Sequence, residues 1–141
     1  MGEPRPQSTS HRILVVDDER LIVHALARML TAAGYSTDVA GNGQEALEKV
    51  SRGHYDLIIC DVKMPVMDGE TFLDQLRRSR PSLSRRIVFC TGDLENPNTR
   101  HFLKTSGVPF ILKPFRLGAV LEMVAGRLAN DRYIGQPVPS V

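Results

Sequence analysis

Short apolar segments alternate five times with stretches of helical periodicity, and that alternation constrains the fold of this 141-residue chain more than any other feature. Residues 13–16 (ILVV), 57–60 (LIIC) and 87–90 (IVFC) are unbroken apolar runs, 108–112 (VPFIL) is nearly one, and 35–40 (YSTDVA) is half polar. Runs this short with no polar side read as strands buried on both faces. Between them Leu21, Ile22, Ala25, Leu26, Met29 and Leu30 recur at i, i+3, i+4 spacing, closed by Gly34 just past the helix end. Ala46, Leu47 and Val50 mark a second helix. Phe72, Leu73 and Leu76 mark a third, which Asp68 can cap and which stops before Pro81. A fourth runs over about 99–105, entered through Asn96-Pro97 with proline at its first position, and Leu117, Val120, Leu121, Val124 and Leu128 line the last. Five such βα units predict an α/β, flavodoxin-like, doubly wound parallel sheet in strand order 2-1-3-4-5. The half-polar 35–40 strand suits the edge that this order gives it.

The residue just beyond each strand then matters, because ligands of open α/β sheets bind beyond the carboxyl ends of the strands, where the strand order reverses. The first strand hands over to Asp17-Asp18, the third to Asp61, the fourth to Thr91 and the fifth to Lys113. Strands 1 and 3 flank the reversal, so the three aspartates are expected to converge, with Thr91 and Lys113 alongside. Three carboxylates in one place raise one another's pKa. A hard divalent cation resolves the repulsion, and Mg²⁺ characteristically takes a few carboxylates, several waters and a phosphate oxygen. Lys113 and the Thr91 hydroxyl suit other phosphate oxygens. Asp61, which has no acid next to it, is then the candidate nucleophile, since carboxylates form aspartyl phosphates. Taken singly, each residue has a plainer reading: Asp18 as a helix cap, Asp61 as an Asx-turn residue before Met64-Pro65, Lys113-Pro114 as a strand exit. Their joint occurrence at four strand ends favours the chemical one.

Composition narrows the rest. A net charge of +2 does not point to nucleic acid. The arginines of 77–86 (RRSRPSLSRR) offer a conceivable phosphate patch, with a solvated helix end and loop as the plainer reading. No run approaches the ~18 apolar residues of a membrane span, no signal-peptide pattern precedes the domain, and Pro6 spoils a myristoylation motif. Cys60 and Cys90 sit inside apolar runs, as small core residues of a reducing compartment do, and no metal-ligand spacing supports zinc. A cytoplasmic location is expected. Residues 1–11 read as a flexible arm or linker, 12–130 as the domain and 131–141 as a tail.

The combination of ILVVDDE, DLIICDVKMPVMDG, Thr91-Gly92 and the KPF of 113–115 resembles the receiver domain of bacterial two-component response regulators over about residues 12–130. The resemblance implies that Asp17 and Asp18 help to bind Mg²⁺, with the Lys63 carbonyl completing the shell. It implies that Asp61 takes a phosphoryl group from a histidine kinase or phosphotransfer protein, aided by Thr91 and Lys113. Thr91 and Phe110 would form the switch pair, and Lys113-Pro114 would be cis. Such a chain is a signalling phosphoacceptor that catalyses its own phosphorylation and dephosphorylation, rather than an enzyme with an external substrate. Departures from the commonest pattern are Lys63 and Asp93 near the acceptor, and Arg116 and Gly118 at the start of the last helix.

Three rival readings remain. GNGQEA, residues 41–46, fits a dinucleotide fingerprint, but it comes after the weakest strand, and Asn42 with Glu45 reads better as a cap and its reciprocal partner. An aspartyl-phosphate hydrolase would want a D-x-D where Asp61-Val62-Lys63 stands. A phosphate-independent docking module would not need all of the acids and the lysine. Beyond the last helix there is no space for a DNA-binding unit, so output is expected through a downstream protein partner, with neither nucleic acid nor direct membrane contact. A stand-alone regulator and the receiver of a hybrid histidine kinase both stay open. Phe102, Leu103, Val120 and Met123 are candidates for an interaction face, or for core.

Overall fold

The computed structural model describes residues 10–129; the tail assigned to 131–141 and nearly all of the 1–11 arm lie outside them. In chain order the elements are β1 (Arg12–Val16), α1 (Arg20–Ala32), β2 (Ser36–Ala40), α2 (Gly43–Arg52), β3 (Leu57–Cys60), α3 (Gly69–Ser79), the single turn α4 (Pro81–Ser84), β4 (Ile87–Thr91), α5 (Pro97–Ser106), β5 (Phe110–Leu112) and α6 (Leu117–Ala129). The five strands form one parallel sheet in the order β2-β1-β3-β4-β5, the expected flavodoxin-like arrangement.

Alternation along the strands sorts the core into two layers. Leu14, Val16, Ile58, Cys60, Ile87 and Phe89 face one way, against Ala46, Val50, Phe72, Leu73, Leu76, Phe102 and Leu103 from α2, α3 and α5. Ile13, Val15, Leu57, Ile59, Val88 and Cys90 face the other, against Val23, Leu26 and Leu30 of α1 and Val120, Met123 and Val124 of α6. β3 and β4 are buried along their whole length, which is why their apolar runs carry no polar position. Phe102, Leu103, Val120 and Met123 are thus core residues, and so are both cysteines, which are free thiols. Phe89 meets Phe102 edge to face at 5.2 Å between ring centres.

Several helix ends follow their sequence signals. The Asp68 carboxylate accepts from the Thr71 N–H at 2.9 Å, and Asn96 accepts from the Asn98 N–H at 2.8 Å ahead of Pro97. Asn42 accepts from the Glu45 N–H at 2.9 Å, while Glu45 reaches back to the Gly41 N–H at 2.8 Å, one residue short of the usual reciprocal bond. GNGQEA is therefore a capping structure. Gly43 is in it because a Cβ there would lie 2.8 Å from the Met67 carbonyl oxygen.

Two elements differ from expectation, and one of the plainer rival readings falls away. β5 covers only Phe110–Leu112, because Pro109 has no N–H to extend the ladder. Pro81 opens the extra turn α4 where a loop was expected. Asp18 does not cap α1; Glu19 occupies the cap position, its side chain makes no capping bond, and its N–H goes to Asp17 Oδ1 at 3.0 Å. The arginine run is mostly exposed, as its plainer reading as a solvated end expects, and two of its members also hold carbonyls: Arg77 donates to Ser106 O at 2.8 Å and Arg80 to Val50 O at 2.6 Å, at the ends of α5 and α2. Among the described residues no helix is long and apolar enough to cross a membrane.

Candidate functional site

Backbone bonds carry the strand ladders one residue past their ends and so place the acids. The Asp17 N–H donates to Ala40 O at 3.1 Å and the Asp61 N–H to Val16 O at 2.9 Å, setting both residues at the reversal between β1 and β3. The Lys113 N–H donates to Thr91 O at 2.9 Å, which aligns the lysine with the end of β4. Behind Asp61, Gly69 is packed so tightly that a Cβ would collide with the Asp61 carbonyl oxygen and lie 2.8 Å from Phe89. Glycine there lets α3 start directly beneath the loop that follows Asp61.

The Lys113 ammonium reaches Asp17 at 2.8 Å, Glu19 at 3.0 Å and Asp61 at 3.3 Å. Asp17 and Asp61 are buried, 4% and 8% exposed. Burial, with the nearby Asp17 charge, pushes the Asp61 carboxyl up to about 6, although Lys113 and the Val62 N–H on Asp61 Oδ1 at 2.8 Å pull it down. For Lys113, burial opposes the charge, but its bond to Asp17 and the charge of Asp61 more than offset that and hold its pKa above the ordinary lysine value. One cation thus serves three carboxylates.

Oxygens of Asp17, Glu19 and Asp61 lie within 4.8 Å of one another, close enough to share a metal ion. All donors are carboxylate oxygens, two of the three acids are buried, and Lys113 alone leaves their charge uncompensated. That chemistry fits a hard divalent cation. Asp18, assigned to the acidic pair, is exposed and is not part of this group. Glu19, which sequence reasoning misses, stands in the cluster beside Asp17 and Asp61. Asp18 is at a bend and the Glu19 N–H folds back onto Asp17 Oδ1 at 3.0 Å, which brings residues 17 and 19 together; no periodicity in the sequence signals that step.

Thr91 is buried, and its hydroxyl accepts the Asp93 N–H at 3.1 Å. The Asp93 carboxylate in turn accepts from the Thr99 hydroxyl at 3.1 Å, so this acid is anchored on α5. Phe110 is half-buried against the core layer of Phe89 and Phe102. Lys63 is exposed on the loop after Asp61, and the Lys113-Pro114 peptide is cis, as the resemblance implied. The same loop contains Val66 at φ +68°, with the Met67 N–H donating to Pro65 O at 2.7 Å.

The response regulator receiver domain model matches residues 13–125. Among curated proteins, the transcriptional regulatory protein DltR of Streptococcus agalactiae is 32% identical over 123 residues; the match covers 87% of this chain and 54% of DltR, so the chain spans about half of that relative. Among solved structures, the signal receiver domain of a signal transduction histidine kinase from Syntrophus aciditrophicus superimposes with a TM-score of 0.77 at 31% identity, covering 85% of this chain and 91% of that one. The response regulator TrrA of Thermotoga maritima, solved in complex with Mg²⁺-BeF, gives a TM-score of 0.70 at 33% identity, covering 82% and 97%. The chain belongs to the response regulator receiver domain family. Membership does not carry the expectation that nucleic acid plays no part, because DltR is named as a transcriptional regulator and is nearly twice as long as the match.

Proposed function

We propose that the chain is the phosphoacceptor of a two-component phosphorelay, with Asp61 as the acceptor. The observation that carries this reading is the meeting of Asp17, Asp61 and Lys113 at the strand reversal, with Asp61 held at about 6 by burial and a neighbouring acid. Asp17 and Asp61, with Asp18 and the Lys63 carbonyl, are the groups assigned to Mg²⁺; the Mg²⁺-BeF complex of TrrA supports the choice of ion. When bound, the ion supplies positive charge against the transferring phosphoryl oxygens.

This chain's own residues do the rest. An Asp61 oxygen attacks the phosphorus of a phosphohistidine; the N–P bond breaks, its electron pair stays on the imidazole, and the imidazole takes up a proton from water. The acceptor loop, fixed by Gly69 and by the Gly43 N–H on Met67 O at 2.8 Å, holds Asp61 in place for in-line attack. Lys113 moves onto a phosphoryl oxygen, and the Thr91 hydroxyl leaves the Asp93 N–H to donate to another. Attack by water on phosphorus later returns Asp61 and inorganic phosphate. The shift of Thr91 gives Phe110 room to turn inward and reshapes the face of β5, α5 and α6, a bias of roughly a few kcal/mol between existing states. Donors are a histidine kinase or a histidine phosphotransfer protein, and a protein partner downstream reads the altered face. The buried free thiols Cys60 and Cys90 suit the reducing cytoplasm, where we place it.

A second placement, as the receiver of a hybrid histidine kinase, is favoured by the likeness to the Syntrophus kinase receiver. Intact-protein mass after incubation with acetyl phosphate and Mg²⁺ tests the acceptor assignment. One base-labile phosphoryl adduct that Asp61→Asn abolishes is the expected result. An adduct that survives in the variant would move the acceptor elsewhere. Phe110→Ala is expected to keep the adduct and lose partner signalling.

A further inference from the structure

Glu19 differs from the other two acids on Lys113. Asp17 and Asp61 are buried and need a counter-charge, whereas the Glu19 side chain is 58% exposed and could be solvated by water. Exposed pairs of two long side chains usually gain little, because both chains lose rotamer freedom. Here much of that freedom is already gone. The Glu19 backbone is extended, at φ −86° and ψ 103°, and its N–H is held by Asp17. The Lys113 backbone is fixed by Thr91 O, and its side chain is only 13% exposed. What remains adjustable is where the ammonium sits along the line from the buried acids to the rim.

We propose that Glu19 is a positioning residue that tethers the Lys113 ammonium at the rim of the site before a phosphoryl group arrives, so that phosphorylation of Asp61 requires Lys113 to exchange Glu19 for a phosphoryl oxygen. This rests on the phosphoacceptor reading. Glu19 makes and breaks no covalent bond: the donor's bond to phosphorus breaks with its electron pair on the donor, and the Asp61 O–P bond forms. A contact present in the resting site and absent in the transition state slows the step by its own worth. For a rim ion pair that is roughly two- to fivefold.

Two readouts test it, with two variants. Glu19→Gln removes the charge and the pair. Glu19→Asp keeps the charge but is one methylene short of Lys113. Without metal or phosphodonor, labelling of Lys113 by an amine-acylating reagent, read by peptide mass, should rise about two- to fivefold in both variants. With Mg²⁺ raised until it saturates each variant, and with acetyl phosphate, the initial rate of Asp61 phosphorylation should rise by a similar factor in both. Unchanged Lys113 labelling overturns the tether. A faster rate in Glu19→Gln but not in Glu19→Asp overturns it as well, because repulsion of an anionic donor would then explain the gain. Wild-type protein that takes no phosphoryl group from acetyl phosphate or from a kinase fails the phosphoacceptor reading and this inference with it. The labelling result is independent of that outcome and so tells the two failures apart.

Discussion

Toward the amino end of the sheet, Asp38 accepts from the Tyr55 hydroxyl at 2.6 Å and Arg12 at 2.8 Å, and Asp56 accepts from the Arg12 N–H at 2.8 Å and from His54 at 3.0 Å. At the carboxyl end, Asp17, Glu19 and Asp61 divide a single ammonium. In the first place donors match or outnumber carboxylates, and both aspartates titrate below their ordinary value. The Tyr55 hydroxyl is the chief cause for Asp38; for Asp56, burial is outweighed by the Arg12 N–H and His54. In the second, three carboxylates share one cation, and Asp61 rises to about 6. The same side chain is a clamp at one end and a group in need of a partner at the other. Evolution of a site for a cation or a phosphoryl group requires the second condition, which costs stability until the partner arrives.

The largest effect that would sharpen this contrast comes from Lys113→Met. It leaves two buried carboxylates with no counter-charge, and breaking buried pairs costs about 3–5 kcal/mol. Because Asp61 can take up a proton, a loss of about 2–3 kcal/mol at pH 7 in chelator is expected by urea denaturation, recovering in part with Mg²⁺ or at pH 5. A loss under about 0.5 kcal/mol would mean that the carboxyl end is not short of positive charge.

Next in size is Asp61→Asn, which should stabilise. The folded pKa is raised, so the stability tied to this group is fully present below its unfolded value near 3.8 and is lost as pH rises through about 6. A rise of that size corresponds to at most ~3 kcal/mol, and losing the Lys113 contact reduces the net gain to about 1–2 kcal/mol at pH 7. At pH 4 the gain should vanish. Asp38 and Asp56 have the opposite sign: their contribution is present above the unfolded pKa and disappears as pH falls through the depressed folded values. Without metal, the domain should therefore be most stable between roughly pH 4 and 6. A stability curve that keeps rising to pH 8 in chelator would break the comparison. Tyr55→Phe, a smaller change, removes the hydroxyl from Asp38 and should cost about 1 kcal/mol at pH 7 while leaving Asp61 chemistry intact.

The difference between the ends also governs what was legible in the sequence. The doubly wound sheet and its strand order could be read because LIIC and IVFC are unbroken apolar runs too short for helices and alternate with helical periodicity. Asp61 and Lys113 could be read because each comes directly after a strand, and an end of a strand in a doubly wound sheet has a known address. Glu19 was missed because it sits on an irregular step of chain, where neither period 2 nor period 3.6 assigns a direction. Asp18 lies on the same step, exposed and at a bend. Arg77 and Arg80 are exposed, as the solvated reading of the run expects, but a run of like charges cannot show that they also reach carbonyls 29 and 30 residues away.

The smallest prediction concerns backbone strain, and it divides along the same line. Gly34 and Gly107, after α1 and α5 at the amino end of the sheet, take positive φ at +104° and +73° with no side chain to object. At the carboxyl end the corresponding conformation, φ +68°, falls on Val66, a β-branched residue that is 81% exposed. The Met67 N–H to Pro65 O bond closes a three-residue turn around it, a rare and strained form. Such a conformation costs roughly 1–2 kcal/mol in a residue with a Cβ. Glycine would remove that cost but bring back up to ~1 kcal/mol of unfolded-state entropy. Val66→Gly should therefore raise stability by about 0.5–1 kcal/mol, while Gly107→Val, with open space around its Cβ and only φ against it, should lower it by about 1–2 kcal/mol. Both can be read as changes in urea midpoint at constant slope. If Val66→Gly gained nothing, the strain in the loop after Asp61 would already be relieved by contacts of the valine side chain, and the carboxyl end would be short of positive charge but not of ease.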